Sequence, residues 1–183
     1  MLPNIYFVSG AGAGKSYACK YLIDNYQYIQ SKFANSVYML ANNYFNMQGK
    51  DRKLLQIIGT EVGRNTLSEN IWIDRFEQDI QIVTLAAAKM KKTVSFVSDD
   101  CRFPNEHEML KKMGWVGVYL NVPKEIRIQR LIGRDGTAQE ETLNHISETA
   151  HEAFKHELYS LDASGTLEQT YKNIETFLTQ FKG

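Results

Sequence analysis

Cysteine, net charge and long apolar runs are what this chain has least of. Its 183 residues include two cysteines, Cys19 and Cys101, with no CxxC and no Cys/His spacing of a metal knot. That points to a reducing compartment and away from structural zinc, while one Cys19 to Cys101 bridge stays open. Lys plus Arg equals Asp plus Glu, 21 each, and no long basic run occurs. No global field exists to hold a polyanion, so nucleic acid is not an expected partner and any anion must be bound locally. No apolar run approaches the roughly 18 residues of a membrane span, and the N-terminus has no charged leader region before its glycines. The expectation is a soluble cytoplasmic protein without a membrane partner. Internal repeats and low-complexity linkers are also missing, and the length suits one domain with a mobile insertion.

What is present is a glycine loop, Ser9-Gly10-Ala11-Gly12-Ala13-Gly14-Lys15-Ser16, between an apolar run from Ile5 to Val8 and an amphipathic segment. Glycines let such a loop fold tightly with its amide hydrogens pointing inward, and the helix that follows adds its positive end. Gly10, Ala11, Gly12, Ala13, Gly14, Lys15 and Ser16 are therefore read as an ATP-binding set. Lys15 supplies a charge for the terminal phosphates and Ser16 a hydroxyl for Mg²⁺. Ser9 stands where the pattern GxxxxGK[ST] has its first glycine, and is read as a small-residue variant.

Along the chain, helical spacing of Ala18, Tyr21, Leu22 and Tyr26 predicts a first helix, and SVYML from Ser36 to Leu40 predicts a second strand. Ala41 to Gly49 reads as an irregular connection that exposes Tyr44 and Phe45, suited to stacking on a base. Leu54, Leu55, Ile58 and Val62 mark a helix with Glu61 and Arg64 at its end, and Ile73 to Met90 marks a long one. The strand Thr93 to Ser98 stops at Asp99-Asp100-Cys101-Arg102, where open α/β sheets bind ligands. A helix from Pro104 to Gly114 and a strand from Val116 to Val122 follow. In the next helix Arg127, Arg130 and Arg134 project from one face. A polar stretch from Gly133 to Asn144 reads as a flap, and Tyr159 to Asp162 as a last strand. Thr166 and Gln169 then open a closing helix with a capping box. The order predicts a P-loop NTPase-type three-layer sandwich: a parallel five-stranded sheet flanked by helices, with a short mobile lid.

A phosphate loop alone permits several chemistries. NKxD is missing, and the one DxxG, Asp162 to Gly165, follows the last strand, which argues against a GTPase switch. Lys15 with Arg127, Arg130 and Arg134 reads as a catalytic set around a donor phosphate chain, with Arg64 and Arg102 ready for a second anion. Transfer onto a phosphate needs no dedicated base, since a monophosphate with a second pKa of about 6 is already ionised. The histidines fit that: His107 lies in a polar helix, and His151 and His156 read as solvated. Two alternatives stay open. One is a kinase with a hydroxyl acceptor, such as a dephospho-coenzyme A or nucleoside kinase, using Asp99 or Asp100 as base; the other is a non-catalytic nucleotide-binding regulator.

Four places, SGAGAGKS, LLQIIGTEVGRN (Leu54 to Asn65), SDDCRFPNE (Ser98 to Glu106) and HISE (His145 to Glu148) with DASGT from Asp162, resemble bacteriophage-type deoxynucleoside monophosphate kinases. The resemblance implies transfer from ATP, with Mg²⁺, to a deoxynucleoside 5′-monophosphate. Through it one kinase domain is expected over residues 1–183, with an acceptor region at about 41–70 and a lid at about 127–150. It also implies that Arg64 binds the acceptor's phosphate, that Asp100 and Arg102 line the acceptor site or hold Mg²⁺ through water, and that Arg130 and Arg134 form the lid RxxxR; Tyr44, Phe45 and Glu61 are read as further acceptor residues. His145, Ser147 and Glu148 position the lid in that reading, while Ser16 and Asp99, through water, hold the metal. Base preference and oligomeric state stay open, a homodimer included.

Overall fold

The computed structural model describes residues 2–136 and 146–181. The chain divides into two compact units, one built from Met1–Gln30 and Ser95–Gly183, the other from Ser31–Val94.

The first unit holds a five-stranded sheet: β1 (Ile5–Val8), β2 (Ile29–Gln30), β3 (Phe96–Ser98), β4 (Val116–Asn121) and β5 (Tyr159–Asp162), in spatial order β2-β3-β1-β4-β5. All four pairings are parallel, with Ile5 opposite both Val97 and Val116. The central strand β1 reads IYFV and is buried throughout, as a strand covered on both faces must be. The helices of this unit are α1 (Lys15–Tyr26), α5 (Pro104–Lys112), α6 (Lys124–Asp135), the short α7 (Ile146–Thr149) and α8 (Leu167–Thr179). Ile5, Phe7, Cys19, Leu22, Val118 and Ile174 belong to its continuous core. Pro104 opens α5 and Pro123 precedes α6, positions where a missing amide hydrogen costs nothing. Thr166 and Gln169 exchange the expected capping-box bonds at the start of α8.

The second unit is helical: α2 (Asn35–Phe45), α3 (Arg52–Gln56), a π-helix (Ile57–Leu67) and α4 (Ile71–Lys89). Val37, Ala41, Ile58 and Trp72 form its buried cluster, and Phe33 stacks on Phe76 at 4.4 Å. The segment Ser36–Leu40, expected as a strand, is therefore helix. Its buried Val37 and Ala41 lie one turn apart, and packing on Ile58 and Trp72 overrides the strand preference of Val and Tyr. The second strand is instead the two-residue β2. Arg64, expected at a helix end, lies inside the π-helix. That wide turn is locked by Trp72, whose ring faces Gly63 and whose Nε1 donates to the Gly59 carbonyl at 2.7 Å.

Cys19 and Cys101 are both buried free thiols, so no bridge joins them. Among the described residues no helix is long and apolar enough to cross a membrane.

Candidate functional site

The loop Ser9–Gly14 leaves the carboxyl end of β1 and turns into α1. Gly12 and Gly14 hold φ of 83° and 94°, the left-handed region, and a Cβ on Gly12 would stand 2.4 Å from the Arg127 carbonyl oxygen. Lys15 folds back over the loop, its Nζ donating to the Ser9 carbonyl at 2.6 Å and to that of Gly10 at 3.2 Å. Burial pushes this amine down to about 8, with Glu148 and Asp99 supporting its charge and Arg102 and Arg127 opposing it.

Ser16 Oγ donates to Asp99 Oδ2 at 2.7 Å, and Gln30 Nε2 to Asp99 Oδ1 at 3.2 Å. Asp99 is buried at the end of β3, so three elements fix one carboxylate beside the first turn of α1. Asp100 instead accepts from Ser98 Oγ at 2.9 Å. The stretch DCRFPNE obtains its shape from Glu106, a buried carboxylate that accepts from the amides of Arg102 at 2.7 Å and Phe103 at 3.1 Å. This holds the strand-to-helix turn that presents Arg102.

Arg102 Nη1 pairs with Glu148 Oε1, and the other carboxylate oxygen of Glu148 accepts the Ala11 amide at 2.7 Å. Glu148 thus touches the glycine loop itself. The three arginines of α6 go to three different partners. Arg127 lies against the loop, its Nη1 reaching the Ala11 carbonyl at 3.4 Å; Arg130 donates to the carbonyls of Ala163, Ser164 and Gly165; Arg134 chelates Asp135. Next to the Arg130 contact, a polar cavity of about 330 Å³ is lined by Asp162, Ser164, Gly165, Gln169, Lys172 and Asn173.

The structure therefore brings together Lys15, Ser16, Asp99, Arg102, Arg127 and Glu148 around the loop. Two contributors escaped the sequence reading. Gln30 carries no sequence signal, whereas Glu106 stands in the quoted motif and its N3 position before an apolar helix face was a capping-box cue. His145 lies outside the described residues, and Ser147 is placed by its backbone in α7. His151, expected to be solvated, is buried, and burial pushes its imidazole below the ordinary value; His156 is exposed. His107 is also buried and shares a 2.8 Å hydrogen bond with the Tyr6 hydroxyl.

In the second unit Tyr44 and Phe45 are exposed in the last turn of α2, Glu61 is exposed on the π-helix, and Arg64 is half-buried there. Beneath the π-helix an apolar cavity of about 280 Å³ is bounded by Met39, Leu40, Ile58, Val62, Leu67 and Trp72, with Arg75 at its edge.

Arranged in this way, the first unit can hold an anion against loop amides and Lys15, and can offer hard oxygen donors from Ser16 and Asp99 at one point. No protein-family model matches the chain. A curated relative, the deoxynucleoside-5′-monophosphate kinase of Escherichia phage T5, is 33% identical over an alignment of 104 residues, which covers 51% of this chain and 38% of that protein's length. Among solved structures, shikimate kinase from Bacteroides thetaiotaomicron superposes with a TM-score of 0.60 at 15% identity, each chain fully covered. A sugar kinase from Janibacter sp. gives 0.59 at 16%, with 98% of this chain and 95% of that one covered. A gluconokinase from Sinorhizobium meliloti gives 0.51 at 11%, with the same coverage. The fold is that of the P-loop kinases, and the resemblance to phage-type deoxynucleoside monophosphate kinases is borne out by the match to the phage protein.

Proposed function

We propose that the protein transfers the γ-phosphate of ATP to a deoxynucleoside 5′-monophosphate, giving ADP and the deoxynucleoside diphosphate. The observation that carries this is the match to the phage kinase combined with a glycine loop whose lysine and serine converge with Asp99. The loop amides and Lys15 bind the donor phosphates, and Arg127 adds charge at the loop's edge. Ser16 and Asp99 present the hydroxyl and carboxylate oxygens that suit Mg²⁺, which would neutralise phosphate charge when bound. A phosphate oxygen of the acceptor attacks the γ-phosphorus, and the bond to the bridging oxygen breaks. Because the attacking acceptor oxygen is already ionised at neutral pH, positioning and charge are what the protein contributes. In this reading Arg102 is an acceptor residue of the first unit, and Arg64, Tyr44, Phe45 and Glu61 are acceptor residues of the second. Asp100 is a further acceptor residue, Arg130 and Arg134 act at the lid, and Ser147 with Glu148 positions it. ADP release against a panel of deoxynucleoside monophosphates tests the proposal; it predicts stimulation by at least one of them.

Kinases with hydroxyl acceptors share the fold, so shikimate, gluconate and deoxynucleosides belong in the same panel. A base role for Asp99 is disfavoured by its two oxygens already accepting from Ser16 and Gln30.

A further inference from the structure

A carboxylate is a poor neighbour for a loop that binds phosphates, yet Glu148 sits in direct contact with one. One of its oxygens takes the Ala11 amide hydrogen at 2.7 Å and the other pairs with Arg102. Its side chain is 12% exposed, so the contact is a seated one and not a passing surface pair. Its charge also acts on the buried Lys15 amine. An oxygen anion held by a loop amide and paired with an arginine meets the requirements that a phosphate oxygen would meet there.

We propose that the Glu148 carboxylate is a built-in competitor for the loop's phosphate position, so that α7 must draw back from the loop before a nucleoside polyphosphate can seat. The inference rests on the reading of the loop as a nucleotide site. Two anions do not share one amide donor, and at such range their repulsion is strong outside bulk water. The element that has to move is suited to it. Helix α7 has four residues, too few to be stable on its own, and leads into short 3₁₀ turns at Ala150–Ala153 and Lys155–Glu157. Withdrawal also takes Glu148 from Arg102, so donor binding and the charge offered by Arg102 are linked through one side chain.

An internal competitor weakens apparent affinity in proportion to the fraction of time it occupies the site. Glu148→Gln keeps the size of the side chain and removes its charge. Titration calorimetry with ATP, and separately with inorganic tripolyphosphate, should show tighter binding by the variant, on the order of 5- to 50-fold. Glu148→Asp, one methylene shorter, should fall between the variant and the parent. In the parent, tripolyphosphate should speed amide hydrogen exchange in Ile146–Thr149. Equal or weaker binding by a folded Glu148→Gln protein overturns the proposal while leaving the nucleotide site intact. Failure of folded parent and variant alike to bind either ligand overturns the proposal together with the reading of the loop.

Discussion

Ser16 Oγ donates to Asp99 Oδ2 across 2.7 Å, joining the first turn of α1 to the end of β3. In this pair a hydroxyl and a carboxylate oxygen meet beside the loop, and a second donor, Gln30, braces the carboxylate. Asp99→Asn keeps the shape and discards the charge. We expect the Mg²⁺ concentration needed for half-maximal activity to rise and kcat/KM to fall about 10- to 100-fold, measured in a magnesium titration. Gln30→Ala should give a smaller change of the same kind.

Lys15 gives a pH signature. Its amine is pushed down to about 8 by burial, against an ordinary 10.5, and phosphate binding should drive it back up. Nucleotide binding at pH 8 should therefore take up about half a proton, seen as a dependence of calorimetric enthalpy on buffer ionisation heat. Affinity should decline as pH rises above 8. Stability runs the other way: the folded chain holds fewer protons than the unfolded one between about 8 and 10.5, so this group's contribution rises with pH across that window. Lys15→Ala should remove the proton uptake and nearly all turnover.

Gly12 tests the shape of the loop. An alanine there must adopt φ of 83° and place its Cβ 2.4 Å from a backbone oxygen of Arg127, which cannot swing aside. A strain on the order of 1–3 kcal/mol is expected. Thermal melting should register it, and ATP affinity should drop by more than the loss in stability suggests, because the amides would be misaligned. Gly10→Ala meets only the movable Arg127 guanidinium and should be milder.

Gly63 is the corresponding test for the helical unit. A Cβ would stand 2.6 Å from the Trp72 ring and 2.7 Å from the Ile58 carbonyl. Gly63→Ala should cost roughly 1–3 kcal/mol and shift the fluorescence of Trp72. Unchanged melting and emission would show that the π-helix absorbs the methyl without repacking.

These residues also show where sequence is a good guide. The loop, α1, α4, α5, β4, α6, β5 and α8 each carry a period, a cap or a proline that local chemistry explains. Ser36–Leu40 does not: a short run containing Val, Tyr and Leu suits either element, and the choice is made by Ile58 and Trp72, distant in sequence. Strand β2 is two exposed residues, Ile29 and Gln30, too short to show a period and held by a neighbour strand. At the site, residue types were legible because glycine, lysine and aspartate have few substitutes there. Contacts were not, since Gln30 to Asp99 and Ala11 to Glu148 span 69 and 137 positions. Burial of His151 was missed for the same reason, its neighbour Tyr119 lying on β4.

The most direct measurement of the proposed activity follows the label itself. ATP labelled at the γ-phosphate is incubated with the protein, Mg²⁺ and each deoxynucleoside 5′-monophosphate, and the products are separated. The predicted result is label in the β-position of a deoxynucleoside diphosphate, lost in Lys15→Ala. Label appearing only as inorganic phosphate, or only on a hydroxyl acceptor, would contradict it.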